Sequence, residues 1–207
     1  TVGPELFVGL SVSGDAQGSC LPIGALAAGD ALVLTAPLGT GVLMAADMQG
    51  RARGAWLAST LAHMARTNRA AAEIAHRLGA HAATDVSGFG LAGHLVEMLD
   101  ASGLGARLRL GAIPALPGAR ELLHRGLRSQ FHEQNAEGRR GIRWQGAAGD
   151  PDAELLFDPQ TSGGLLLAFP RERVDEALAA LADAGDDDAA WIGDVTQGPD
   201  DGIRLTV

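Results

Sequence analysis

The chain has 207 residues, 46% of them hydrophobic and 20% charged, which is enough to bury a core and is ordinary for a globular protein. Its net charge is -9 and it contains no lysine, which argues against a nucleic-acid partner because such surfaces need clustered cations. The single cysteine excludes an internal disulfide. Without a span-length apolar run or a leader-like start, we expect a soluble, cytoplasmic protein with no membrane partner.

The first predicted elements are two strands and a helix. Residues 6–12 alternate large and small side chains, and residues 31–35 form a continuous apolar run, so both segments favour strands. Pro37 ends the second strand, and Thr40 between two glycines is predicted to cap a helix over 42–48. This turn either starts the helix or contacts a phosphate, and the residues leave both interpretations open.

A helical stripe of apolar residues follows from position 56 to 78. It is interrupted near Asn68, which predicts two helices or one kinked helix. Asn68 is predicted to cap the second helix, and Gly79 to end it in the left-handed conformation.

The central motif is the string TDVSGFGLAGHL at 84–95, which predicts the end of a strand, a tight loop and the start of a helix. Gly88 and Gly90 open the backbone to a ligand, and the first helical amides suit a phosphate. Asp85 adds a carboxylate to this loop. A Mg²⁺ ion that bridges the carboxylate and a phosphate would allow both negative groups to occupy the same site. Asp85 also fits a simple loop or helix cap. We expect His94 to bond to a neighbouring loop.

The second half begins with a predicted strand over 106–110 and a helix over 119–125. Residues Leu127 to Asp150 show little periodicity and are predicted to form a long loop. Its polar residues approach phosphates or are simply solvated; they are Arg128, Asn135, Arg139, Arg140 and Arg143. A helix over 171–185 and strands over 190–195 and 203–207 follow, the last two interpreted as a hairpin.

The second motif is the string DPQTSGG at 158–164, placed between two apolar elements. Backbone amides at Thr161, Ser162, Gly163 and Gly164 are predicted to form a concave nest of donors. Such a nest would either bind an anion or keep the central loop in shape.

The two motifs together closely resemble those of the selenophosphate synthetases, also called selenide, water dikinases. Both strings stand in the family's order, about 70 residues apart, and the Pro-Leu-Gly turn at 37–39 fits as well, although Ala36 replaces the usual lysine. The resemblance implies an α+β fold, a layered mixed β-sheet flanked by α-helices, like the C-terminal domain of aminoimidazole ribonucleotide synthetase. The alternation of predicted strands and helices agrees with this class.

The resemblance also implies a function. The family converts selenide, ATP and water into selenophosphate, AMP and phosphate, with its catalytic residues in an N-terminal half. Residues 1–207 are thus expected to be a single C-terminal domain that lacks catalytic residues and is inactive alone. Its expected partners are the N-terminal half, a second copy in a homodimer, and ATP and selenide as substrates. The resemblance implies Asp85 as the Mg²⁺ ligand. From the open loop and the amide nest, we hypothesise a set of nucleotide-binding residues: Gly88, Gly90, Thr161, Ser162 and Gly163.

Two other interpretations remain open at this stage. The chain resembles, more distantly, ATP-dependent relatives such as thiamine-monophosphate kinases and hydrogenase-maturation proteins, although Asp158-Pro159-Gln160 argues against them. It is alternatively a non-catalytic module that serves dimer or inter-domain contact.

Overall fold

The computed structural model describes residues 11, 13, 20–137, 142–144, 150–198 and 203–206, with side chains for all but 142–144 and 203–206. The described strands form one sheet in the order β2-β5-β1-β6-β3-β7-β4. Their bounds are β1 Ala31–Leu34, β2 Ala82–Asp85, β3 Gly105–Arg109, β4 Ile142–Trp144, β5 Leu165–Phe169, β6 Ala190–Thr196 and β7 Ile203–Thr206. The first five strands in that order pair antiparallel, whereas β7 pairs parallel with both β3 and β4. The sheet is therefore mixed, as expected.

The described α-helices are α1 Thr40–Met48, α2 Gly54–Met64, α3 Arg69–Arg77, α4 Gly90–Ser102, α5 Ala119–His124, α6 His132–Ala136 and α7 Val174–Asp183. In the described part of the chain, 3₁₀ turns lie at Leu110–Ala112, Pro151–Phe157 and Arg171–Arg173. Within the ranges that the structure describes, no helix is both long and apolar enough to cross a bilayer.

Helices cover both faces of the sheet, and the alternation of side chains along β5 shows how. Leu166 and Ala168 belong to a core cluster with residues of α1, α4 and α5, whereas Leu167 and Phe169 belong to a second cluster with α3 and α7. Because successive strand residues face opposite sides, an uninterrupted apolar strand is what a sheet covered on both faces requires. The layered α+β class expected from the sequence is confirmed.

The break in the helical stripe is confirmed, because α2 ends at Met64 and α3 begins at Arg69. Gly79 is left-handed, with φ +72°. Asn68 occupies the capping position of α3, but its side chain does not cap that helix. It instead donates a 2.9 Å hydrogen bond to the carbonyl oxygen of Gly163 in the second motif, so the predicted capping role was wrong.

Two topological predictions were also wrong. The closing strands do not form a hairpin, because β3 lies between β6 and β7; an apolar run indicates a strand but not its partner. The predicted long loop contains α6 and β4, both too short for a periodic signal. The predicted strand at 6–12 lies outside the described residues except for Ser11, which is not in a strand.

Candidate functional site

The two motifs lie side by side at one end of the sheet. β2 pairs antiparallel with β5, and Asp85 stands opposite Leu165, so the loop after β2 meets the loop before β5. Val86 N donates to the carbonyl oxygen of Gly164 at 2.9 Å. A Cβ atom on Gly163 would overlap the carbonyl oxygen of Val86, so only glycine permits this approach. The second motif thus holds the central loop in shape, one of the two roles predicted for it.

Asp85 is the last residue of β2, at the edge of the described sheet, and it is exposed. Among the described residues its carboxylate has no hydrogen bond or ion pair, so it neither caps α4 nor turns into the core. A free carboxylate suits a hard cation such as Mg²⁺. The described residues contain no group of three or more His, Cys, Asp or Glu side chains that could hold a metal ion together.

Gly88 and Gly90 meet different physical requirements. A Cβ atom on Gly88 would touch nothing within 4 Å, so this position is open to an approaching group. Gly90 has φ +70°, and a Cβ there would lie 2.7 Å from the carbonyl oxygen of Leu156. Gly90 is therefore needed for close packing of the central loop against the segment that leads into the second motif.

His94 bonds to the loop that precedes its own helix, as predicted. Its Nε2 lies 3.0 Å from the Ser87 amide, which donates to it, and 3.1 Å from the Ser87 hydroxyl. His94 therefore stabilises the loop from α4.

The start of α1 is capped by side chains from the second motif. Gln160 Oε1 accepts hydrogen bonds from the amides of Gly39 and Thr40 at 3.0 and 3.3 Å. Asp158 Oδ2 accepts from the Gly41 amide at 3.1 Å. The helix begins at Thr40 without a cap from its own chain segment, so Thr40 is not the cap that the sequence predicts. This turn starts a helix, and its amides already have partners.

Asp158 is a fully buried carboxyl group in this arrangement. Burial raises the pKa of Asp158 to about 7, against the opposing effects of the Gln160 amide, the Gly41 and Val42 amides and the more distant Arg128. Its Oδ1 has no hydrogen-bond partner among the described residues. The sequence offers one signal for this network, namely two polar side chains in a short segment between apolar elements.

A cleft of about 710 Å³ opens beside the central loop. Gly88 and Thr161 line it, together with Gly41, Met44, Ala45, Met48, Gln49, Arg128, Ser129, Gln130, Phe131, Pro159 and Gln160. Ser162 is exposed with φ 50°, and Gly163 is buried; neither lines the cleft. The Thr161 amide donates to the Thr40 hydroxyl at 2.9 Å.

The polar residues that were predicted to approach phosphates in the segment after Leu127 lie in different places. Arg128 lines the cleft. Asn135 Nδ2 donates to the carbonyl oxygens of Gly88 and Phe157 at 2.8 and 3.0 Å, which fastens α6 to both motif regions. Arg139 and Arg140 lie outside the described residues, and only the backbone of Arg143 is described.

The arrangement of the two motifs agrees with a comparison against known families. The model of the family described as AIR synthase related protein, C-terminal domain, matches residues 27–206. The chain belongs to this family. The matched range includes both motifs and every described strand, so the family's fold accounts for the whole described sheet.

This AIR synthase related domain is similar to selenide, water dikinases, which confirms the resemblance noted in its motifs. It is 42% identical to the Burkholderia pseudomallei enzyme over 172 residues, which cover 83% of this chain and 49% of the relative. It is 38% identical to the Pelobacter propionicus enzyme over 197 residues, covering 94% and 57%. The chain thus spans about half the length of the curated relatives it matches.

Solved structures confirm the fold of this AIR synthase related domain. The hydrogenase maturation protein HypE of E. coli matches with a TM-score of 0.65 and 19% identity, over 91% of this chain and 49% of that one. A thiamine-monophosphate kinase from Stenotrophomonas maltophilia matches with a TM-score of 0.63 and 21% identity, over 91% and 54%. At these identities the likeness extends to the fold alone.

Proposed function

We propose that this chain is the C-terminal domain of a selenide, water dikinase, which makes selenophosphate, AMP and phosphate from selenide, ATP and water. The similarity to curated enzymes of that name, at 37–42% identity, supports this proposal. The observation that carries it is Asp85, an exposed carboxylate without a partner among the described residues, in a loop that the second motif holds in place.

In this proposal Asp85 is one ligand of Mg²⁺, and residues outside the chain complete the metal site and supply the catalytic groups. Bound Mg²⁺ would offset the charge on the nucleotide phosphates. Gly88 and Thr161 border the open side of the loop and would lie nearest to those phosphates. Gly90 and Gly163 support the loop's shape, and Ser162 next to Gly163 is exposed. Asp85 stays exposed at the strand edge, where a further domain or a homodimer partner has access.

The competing proposal is an ATP-dependent enzyme of the same fold that transfers a phosphoryl group to a different acceptor, such as thiamine monophosphate. The structural likeness to HypE and to thiamine-monophosphate kinase supports only the fold, whereas the relatives of 37–42% identity are selenide, water dikinases. The products distinguish the two, because the proposed reaction yields AMP. Formation of ADP with thiamine monophosphate, and none of AMP with selenide, would favour the competing proposal.

The test is selenide-dependent AMP formation by the full-length enzyme and its Asp85→Asn and Asp85→Ala variants. We expect a loss of at least about 100-fold, because a missing ligand displaces the metal that stabilises the transferred phosphoryl group. The melting temperature should stay unchanged, since the carboxylate has no partner among the described residues. Asp100→Asn, an exposed aspartate on α4, is the matched control and should keep full activity.

Two outcomes contradict separate parts of the proposal. Near-normal turnover by Asp85→Ala would remove Asp85 from the metal site. If the full-length wild-type enzyme forms no AMP with selenide, the proposed selenide, water dikinase activity is wrong. The 207-residue chain alone should be inactive, and selenide-dependent AMP formation by that chain would show that no further domain is needed.

A further inference from the structure

Arg128 is the cation of the cleft beside the central loop. Of the described residues that line this cleft, only Arg128 carries a positive charge, in a protein that has no lysine at all. The volume of about 710 Å³ lies within the usual range for small-molecule sites, roughly 300–1,000 Å³. Gly88 and Thr161 line the same cleft, so it is continuous with the loop that carries Asp85.

The Arg128 side chain is fixed in place before any ligand arrives. Its Nη1 donates to the carbonyl oxygens of Leu123 and Leu127 at 2.6 and 2.8 Å. Its Nε lies 3.3 Å from Glu154 Oε2. Nη2 takes part in no hydrogen bond among the described residues. A guanidinium oriented in this way loses little further entropy when it binds an oxyanion.

Two acidic side chains neighbour Arg128, and it forms an ion pair with one of them, Glu154. The Glu154 carboxylate is shared with His132, whose Nε2 lies 2.8 Å from the same Oε2 atom. Asp158 is the other neighbouring acid, and burial raises its pKa to about 7, so near neutral pH a large fraction is uncharged. Arg128 therefore stands in an ion pair with Glu154, and its Nη2 group is the part of the guanidinium that remains open to the cleft.

The other walls are largely apolar. Met44, Met48 and Phe131 line the cleft, and the last two are strongly exposed, at 85% and 54%. A ligand that enters displaces water from these side chains, which lowers the local dielectric and strengthens its attraction to the guanidinium. The same wall that is exposed in the free protein would thus be covered in the complex.

We propose that Arg128 binds a tetrahedral phosphate-type oxyanion in this cleft. The proposal rests on the proposed function, whose reaction releases two such anions, phosphate and selenophosphate, and consumes a nucleotide that carries the same group. The Nη2 group can donate charge-assisted hydrogen bonds to a phosphate oxygen, while Nη1 and Nε hold the guanidinium in place. The ligand is therefore a free oxyanion product or the phosphate of a nucleotide.

The test titrates the 207-residue chain with inorganic phosphate, with monothiophosphate as a stand-in for selenophosphate, and with AMP. Calorimetry gives the affinity, and amide NMR shifts of Gly88 and Thr161 report the place. We expect Arg128→Gln to weaken phosphate binding by about tenfold or more, the effect of losing a charge-assisted contact. Arg125→Gln is the matched control, because Arg125 pairs with Glu121 and does not line the cleft; it should stay within about twofold.

Equal phosphate affinity in wild type and Arg128→Gln, or phosphate shifts away from Gly88 and Thr161, would overturn the proposal. Arg128→Lys keeps the charge but loses the Nη2 donors that the guanidinium holds in place, so it should bind with intermediate affinity and serves if Arg128→Gln unfolds. Tighter binding of AMP than of phosphate assigns the site to a nucleotide, and equal binding assigns it to a free product. The phosphate titration is done without Mg²⁺, whereas the metal role of Asp85 is tested by AMP formation in the full-length enzyme, so the two proposals fail independently.

Discussion

The backbone amide of Gln160 donates a 2.9 Å hydrogen bond to the carbonyl oxygen of Ser87. This bond joins two motifs that are 73 positions apart in sequence, since Gln160 follows Ser87 by that distance. The side chain of the same glutamine caps α1 through the amides of Gly39 and Thr40. Gln160 therefore links the wall of the cleft to the loop that carries Asp85.

Replacing Gln160 should destabilise the protein and loosen this link. Gln160→Ala removes the acceptor for the α1 amides and leaves buried donors without partners, which costs about 2–4 kcal/mol for several such groups. Gln160→Glu keeps an acceptor for the α1 amides but loses the donor to Asp158. Below pH 7 its stability should therefore lie between those of the wild type and Gln160→Ala. Urea unfolding measures both. The exposed Gln134→Ala is the control, and a Gln160→Ala curve that overlays it would contradict the capping role.

The glycines of the central loop provide a matched pair of substitutions. Gly90→Ala should lower stability by about 2–4 kcal/mol, because it combines a left-handed backbone with a Cβ placed against the Leu156 carbonyl. Gly88→Ala should change stability by less than about 0.5 kcal/mol, because its Cβ meets open space. The new methyl group of Gly88→Ala should instead weaken phosphate binding in the cleft. Thermal unfolding and calorimetry separate the effects, and equal destabilisation by both substitutions would contradict this distinction.

Asp158 should make the stability of the protein depend on pH. The pKa of its carboxyl rises from 3.8 to about 7 in the folded state, so the folded protein keeps a proton that the unfolded chain has released. The contribution of Asp158 to the free energy of unfolding is therefore largest below pH 4. It declines as the pH rises towards 7 and is constant above that. Over this window the loss amounts to several kcal/mol.

Asp158→Asn tests this dependence, because asparagine imitates the protonated acid and does not titrate. Urea unfolding of both proteins at intervals from pH 4 to 8 gives the difference between their stabilities. That difference should shift in favour of the variant as the pH rises to 7. Parallel profiles for the two proteins would show that Asp158 has an ordinary pKa.

Local sequence patterns predicted most of the strands and helices, whereas their packing against one another depends on tertiary contacts. The apolar runs at Ala31–Leu34 and Leu165–Phe169 lie between turn signals and are both strands. The central motif was correctly predicted as a strand end, a loop and a helix start, because two glycines and a helical apolar stripe follow Asp85. These features depend on residues within one or two turns of each other.

The remaining features depend on residues far apart in the chain. Gln160 caps a helix about 120 positions away, and Asn68 reaches Gly163 across 95 positions. No local periodicity encodes such pairs. Helix α6 has five residues and is fixed by His132 and Asn135, so its own sequence is too short to predict it. The cleft was missed for the same reason, since its walls come from α1, the central loop and the segment before α6.

Asn135 should control the order of the central loop. Its side chain donates to the carbonyl oxygens of Gly88 and Phe157, so Asn135→Ala breaks the contact between α6 and both segments. We expect faster hydrogen exchange at Ser87 and Gly88, together with a stability loss of about 1–2 kcal/mol for two hydrogen bonds. Asn135→Asp should be worse, because it places a carboxylate against two carbonyl oxygens. Hydrogen exchange followed by mass spectrometry measures the effect, with Gln134→Ala on the same helix as control. Unchanged exchange at Ser87 and Gly88 in Asn135→Ala would mean that the loop is ordered by the second motif alone, through Val86 and Gln160.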